Sequence, residues 1–258
     1  LEEVFDAGAE TNVPDDVKWA GLDESQRTAV KRLYAWIRSC VPDGATSADL
    51  STFKSEKFRD EISDYFDKAF LLTYYLWTDY FLAVDQRAKN MMLRTWDGLI
   101  WYITYYDGDT QMGKRNDCFL VYDYTTDRDT YDAEAGKYAF EGRDSWLWNL
   151  VLANLDADLK TQAQALRGVL TTSRVLDMLN VEQAGNWCDR AYNKSGELKY
   201  ILPATQEMYG KVWPFIYALQ GSNRAHREYF VRNRFALLDA KYGTSNFTSD
   251  NINLYLAR

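Results

Sequence analysis

Apolar positions along the chain recur at helical spacing in several windows and at strand spacing in few. From Ser25 to about Cys40, Val30, Leu33, Tyr34 and Ile37 fall at the i, i+3, i+4, i+7 positions of a packed helix. Pro42-Asp43-Gly44 closes that helix with turn chemistry. Thr46 to Thr52 is polar and reads as a loop. Ser55 to Phe70 predicts a second helix, with Phe58, Ile62, Tyr65, Phe66 and Ala69 periodic. Residues 71–84, LLTYYLWTDYFLAV, are apolar on every side. Strand propensity is high there, but the length and the all-round aromatics favour a buried helix. Asp85 to Arg94 reads as a loop or a short helix. Leu99 to Tyr106 and Cys118 to Tyr124 are the best strands, aromatic and β-branched, with turn residues between them. Their connector, Asp107 to Asp117, is longer than a tight hairpin needs, and long connectors in compact domains often carry function.

The second half reads as helical. Thr125 to Gly142 is an acidic, glycine-containing segment. It reads as a solvated loop rather than a calcium loop, because D-x-[DN]-x-[DN]-G does not occur. Asp144-Ser145 offers an N-cap to a helix carrying Trp146, Leu147, Leu150 and Val151, with a break expected near Asn154 to Asp158. Thr171 or Thr172 caps the next helix, to about Gln183. Gly185 to Gly196 is irregular, and Glu197 to Tyr209 predicts a short helix interrupted at Pro203. Ser222 caps a helix over Arg224 to Tyr242, which Gly243 stops. The expected organisation is an irregular lead-in (1–22), one mostly helical domain (23–243) and a polar tail (244–258). The fold class is α+β, predominantly helical, with one small β-hairpin sheet.

Charge and composition narrow the function. The net charge of −8 and a pI near 4.8 argue against a general nucleic-acid-binding face. The last helix carries Arg224, Arg227, Arg232, Arg234 and Lys241 on one expected face. They either pair with surplus acids of the same chain or meet an acidic neighbour or a phosphate. Cys40, Cys118 and Cys188 are far apart and three in number, so a reducing environment fits. A single histidine, His226, excludes a His-rich metal site. There is no apolar run of about 18 residues and no signal-peptide pattern, so neither a membrane nor signal-directed secretion is expected. Tyr (19) and Trp (9) are abundant, which suits either an aromatic core or an assembly interface.

The chemistry concentrates between Asp85 and Asn116. Asp85 and Asn90 are five apart. After the apolar run from Leu99 to Tyr106 come Asp107 and Asp109, and Gly113 follows four residues later. Phosphoryl transfer to a hydroxyl needs a carboxylate at the acceptor and hard oxygen ligands for Mg²⁺. Asp85 is the candidate catalytic base, and Asn90, Asp107 and Asp109 are the candidate metal ligands, for Mg²⁺ or else Mn²⁺ or Ca²⁺. Two structural alternatives stand beside this. Asp85 is equally suited to cap a helix over Gln86 to Arg94. Lys114 and Arg115 are placed to neutralise the acids in an ion-pair cluster.

The D-x-x-x-x-N segment and the D-x-D-x-x-x-G ending of Trp101 to Gly113 resemble the motifs of CotH-type atypical kinases. A longer resemblance runs through VDQRAKNM, WYITYYDGDTQMG, DSWLW, LQGS and RFALLDAKYG, in that order, over most of residues 25–243. It is to a domain of large virion structural proteins of gut bacteriophages. Together they imply a kinase C-terminal-lobe-like fold built into a phage particle, in the tail or portal-proximal apparatus. Other virion proteins or further copies of the chain would be its partners. Its location would be the virion, and the host cytoplasm during assembly. If the chain is an enzyme, the kinase resemblance implies a Mg²⁺-dependent phosphotransferase using ATP. Nothing before Asp85 reads as a Gly-rich loop followed by a strand lysine, which departs from the kinase pattern. The first residue is Leu, so a fragment or processed piece of a larger protein is expected.

Overall fold

A computed structural model describes residues 23–45, 47–50, 52–83, 85–87, 90–106, 108, 111–113, 122–126, 131–132, 137–138, 145–179, 190–192, 198–200 and 223–244. The chain divides into two compact units that interleave in sequence. The first comprises residues 1–108 and 126–163, and the second 109–125 and 164–258. The described part is mostly helical with small antiparallel ladders.

The first unit opens with α1, Glu24–Ser39. Its start is one residue earlier than the periodicity suggests, because Asp23 is the cap. The Asp23 carboxylate accepts from the Gln26 N–H at 2.9 Å and the Gln26 side chain accepts from the Asp23 N–H, a complete capping box. Two short helices follow, α2 (Ser47–Leu50), in the stretch expected to be loop, and α3 (Glu56–Glu61). The continuous helix expected over 55–70 is broken. A 3-10 turn runs from Ile62 to Asp64, Phe66 bridges to Trp101, and Asp67 caps a new helix, α4 (Lys68–Tyr80). The Asp67 carboxylate accepts from the Phe70 N–H, and an N-cap of this kind is worth about 1 kcal/mol, enough to restart a helix. Helical rather than strand structure from Lys68 agrees with the all-round aromatic pattern, since Leu71, Leu72, Tyr74, Tyr75 and Leu76 are all buried.

The hairpin is β1 (Met91–Thr95) with β2 (Trp101–Tyr105), in register Met91↔Tyr105 through Thr95↔Trp101. The partner of the aromatic strand therefore precedes it in the chain. Of the stretch expected to pair with it, Tyr122, Asp123 and Tyr124 are not strand. The sheet is also not confined to one hairpin. Two-residue strands β3 (Tyr131–Asp132) and β4 (Lys137–Tyr138) form a second ladder.

The unit closes with α5 (Trp146–Asn154), capped by Ser145, and the first part of α6 (Asp156–Val169), with the break at Leu155. Asn154 ties α5 to the approach to α3. Its side-chain oxygen accepts from the Ser55 N–H at 2.8 Å, and its nitrogen donates to the Phe53 carbonyl at 3.1 Å. The aromatic centre is Trp36, stacked on Tyr65 at 4.2 Å and on Phe58 at 5.5 Å.

The second unit takes α6 from Gln164 onward, α7 (Thr172–Leu179), the ladder of β5 (Arg190–Tyr192) with β6 (Leu198–Tyr200), and α8 (Asn223–Tyr242). Strand at 198–200 replaces the start of the helix expected over 197–209. Thr171 caps α7, accepting from the Arg174 N–H at 3.1 Å. The helix was expected to reach Gln183, but residues 180–189 lie outside the described ones. Arg167, fully buried, donates to both carboxylate oxygens of Asp239 at 2.8 and 3.1 Å, and Thr244 donates to one of them at 2.6 Å. Gly243 ends α8 as expected, and the Thr244 N–H returns to the Asp239 carbonyl. Arg234 does not lie on an exposed basic face. It is buried, and it donates to the Tyr124 carbonyl at 2.9 Å.

Candidate functional site

The segment that carries Asp85 begins where α4 runs out. Leu82 is buried with φ at +47°, a conformation that costs a branched side chain strain and that cores tolerate only when their packing enforces it. Asp85–Arg87 then form one 3-10 turn. Its backbone is held from two helices. The Tyr74 hydroxyl donates to the Gln86 carbonyl at 2.7 Å, and the Trp148 indole N–H donates to the Arg87 carbonyl at 3.1 Å. The side chains of Gln86 and Arg87 are buried. The Arg87 guanidinium lies over the Tyr75 ring at 3.5 Å, donates to the Thr78 hydroxyl at 2.7 Å and donates to the Tyr75 carbonyl at 3.0 Å. Thr78 and Arg87 thus pair inside an otherwise apolar interior, and Asp79, Gln86 and Asn149 are buried as well.

The same turn reaches the end of the hairpin. The Gln86 side-chain nitrogen donates to the Tyr106 carbonyl at 3.2 Å. Gln86 adjoins Asp85, and Tyr106 adjoins Asp107. The hairpin register points the same way. One step beyond the Met91↔Tyr105 pair lie Asn90, half-buried in a turn, and Tyr106. The segment of Asp85 and Asn90 is thus brought against the residue that precedes Asp107. The side chain of Asp85 and the whole of Asp107, Asp109, Lys114 and Arg115 lie outside the described residues. Asp109 falls in the second unit by sequence. Among the described residues no group of three His, Cys, Asp or Glu side chains gathers to hold a metal. The donor set of Asp85, Asn90 and Asp107 consists of hard oxygens, the chemistry that Mg²⁺ prefers.

The glycines of the D-G-D-x-x-x-G stretch have local reasons. A side chain at Gly108 would overlap the Tyr105 hydroxyl. Gly113 has φ at +85°, and a Cβ there would come within 2.3 Å of the Tyr122 carbonyl oxygen. The Tyr122 N–H also donates to the Gly113 carbonyl at 3.1 Å, closing the loop back on itself.

At the other end of the hairpin, Asp97 builds the turn. Its carboxylate accepts from the N–H groups of Ile100 and Leu99, at 3.0 and 2.8 Å, and these hold its carboxyl below the usual carboxylate range. The Thr95 hydroxyl accepts from the Gly98 N–H at 2.9 Å. Arg32 on α1 donates to the Leu99 carbonyl at 3.0 Å and fixes the turn to the unit. Trp96 projects from this rigid turn, 82% exposed. Met92, Leu99, Tyr105 and Tyr106 on the same hairpin are exposed too.

Gln86, Arg87, Thr78 and Trp148 were not singled out by motif reading. The available signal was Thr78-Asp79, a polar pair inside a run of apolar residues, which marks a place where the interior has a polar partner to serve. No protein-family model, no curated protein and no solved structure matches this chain. No helix among the described residues is long and apolar enough to cross a membrane.

Proposed function

We propose that the chain is a structural component of a bacteriophage virion, in the tail or portal-proximal apparatus, built on a kinase-like lobe. The family part of this reading comes from the sequence resemblance. The observation that carries it is the hairpin, where a turn locked by Asp97, Thr95 and Arg32 presents Trp96 and Leu99 to solvent. Exposed apolar side chains gathered on one hairpin, as Met92, Trp96, Leu99, Tyr105 and Tyr106 are, suit a protein–protein contact better than isolated ones do, and Trp is enriched among the residues that anchor such contacts. Its partners would be other virion proteins or further copies of the chain. The test is mass spectrometry of density-purified particles made from the genome that encodes the chain. Peptides of this chain are expected in stoichiometric amount with known capsid and tail proteins. Their absence from purified particles overturns the reading.

A second reading is favoured by the Gln86–Tyr106 hydrogen bond. In it, Asp85, Asn90 and Asp107 share one divalent-cation site, and the cation either staples the lobe or serves a CotH-like phosphotransferase. Mg²⁺ would hold the phosphates of ATP there, and Asp85 would take the proton of an acceptor hydroxyl. Melting curves with Mg²⁺ or Mn²⁺, with and without ATP, separate these cases. Stabilisation by cation alone that Asp107→Asn abolishes supports a staple. Further stabilisation by ATP supports the enzyme, and no shift under any condition removes both.

A further inference from the structure

Among the described residues, β1 and β2 pair with each other, and Phe66 adds a bridge to Trp101 on the far side of β2. That bridge fixes which way the hairpin backbone faces. The Trp101 N–H donates to the Tyr65 carbonyl at 2.7 Å, so it points away from β1. In an antiparallel ladder such a residue belongs to a non-hydrogen-bonded pair, and these pairs alternate with hydrogen-bonded ones. The register sets Thr95, Leu93 and Met91 opposite Trp101, Ile103 and Tyr105. All three therefore turn their N–H and C=O groups to the open edge of β1. Edges that stay single are usually blunted by Pro, a bulge, several charges or a covering segment. β1 has no Pro, its register runs unbroken, and Arg94 is its one charged residue. We infer that this edge pairs antiparallel with the same strand of a second copy, about a two-fold axis at Leu93. The inference rests on the reading of the hairpin as a contact surface and names its partner. In this register Leu93 faces Leu93 of the second copy and Met91 faces Thr95, so each outward N–H meets a carbonyl. Met92 comes opposite Arg94, and like charges are never directly paired. Met92 and Arg94 share the exposed face of the strand, and Trp96 follows at its end with the Arg94 guanidinium 5.6 Å from its ring centre. Joining two such ribbons gives a wider sheet, which is more stable than a lone two-stranded one.

A contact between short strands is small, so sedimentation equilibrium of the whole chain is expected to show a dimer with a Kd on the order of 10–100 µM. Met92 is exposed, so replacing it leaves the fold of the single chain intact. Met92→Lys sets a cation opposite Arg94 on both sides of the axis, and is expected to weaken the dimer by roughly threefold to tenfold. Met92→Glu sets a carboxylate there instead, and is expected to tighten it by a similar factor. The net charge of −8 makes any general charge effect run the other way, since an added carboxylate would push two acidic chains further apart. Opposite shifts in the stated directions therefore support the pairing. A dimer that both changes weaken alike, or that neither moves, overturns it. So do wild type and Met92→Glu that both stay monomeric at about 1 mM, well above the expected Kd. Leu93→Pro removes an outward N–H, at the kind of edge position where Pro is tolerated. It is expected to abolish the dimer, and an unchanged Kd counts against the inference. Should that variant not fold, the two Met92 variants decide. Absence of the chain from purified particles removes the virion reading instead, and the Met92 shifts still decide the pairing.

Discussion

Cys40 closes α1 as a buried thiol. Burial first, and the nearby charge of Glu61 second, push its pKa up from 9.0 to about 11. The native state therefore keeps the thiol proton over a range in which the unfolded chain releases it. This contribution to stability is constant below pH 9, and it declines as the pH climbs from 9 toward 11. Urea unfolding of Cys40→Ala across that interval is expected to show a shallower alkaline decline than wild type. At Gly113 both the positive φ and the Tyr122 carbonyl oppose a side chain. Gly113→Ala should cost roughly 2–4 kcal/mol in chemical denaturation. Gly44→Ala, with φ at +71° and nothing within 4 Å, should cost only about 1–2 kcal/mol. At this scale the caps were partly legible. Ser145 announces itself as a polar residue ahead of an apolar periodic run, and Asp67 does not, because Tyr65 and Phe66 continue the helical pattern through the break.

Elements were legible where one pattern dominated locally. The buried helix over Lys68–Tyr80 and the long helix over Asn223–Tyr242 follow from periodicity. β1 does not, since Met, Leu and Arg are good helix formers. It becomes a strand because Trp101–Tyr105 pairs with it and Asp97 closes the turn, facts that lie outside its own residues. Arg234 was misread for a related reason. It sits four residues from both Phe230 and Leu238, on their buried face, and the Tyr124 carbonyl helps make a charge tolerable there. The pairing of Arg167 with Asp239 joins α6 to α8, 72 residues apart, and spacing alone does not reveal it. Arg167→Met should destabilise by about 3–5 kcal/mol, because it leaves a buried carboxylate without its cation. Arg167→Met combined with Asp239→Leu should lose clearly less than the sum of the two single changes, as read from a double-mutant cycle in urea.

For the whole molecule, the interleaving of the units governs what can be cut away. Residues 109–125 belong with α7 and α8, although 38 residues of the other unit separate them from Gln164. Within that unit Tyr124 packs edge-on against Tyr229 at 5.6 Å and receives the Arg234 hydrogen bond. A piece comprising residues 164–258 alone should therefore lack a cooperative unfolding transition by circular dichroism. Supplying residues 109–125 through a flexible linker should restore it. Residues 23–163 with 109–125 replaced by a short Gly/Ser bridge should retain the near-ultraviolet signature of the Trp36 cluster. The sequence disclosed a helical protein with a little sheet, but not this division. Which core a segment joins depends on contacts across long separations, and local periodicity carries no record of them.

The same threading sets an order of events on the ribosome. Residues 109–125 emerge long before the helix of Phe230 and Arg234, more than 100 residues later, so at about 5–20 residues per second they wait on the order of ten seconds without their native neighbours. During that interval the aromatic side chains around Tyr122 and Tyr124 are open to chaperones or to premature association, and the speed of translation becomes a variable in how much correctly folded protein is obtained.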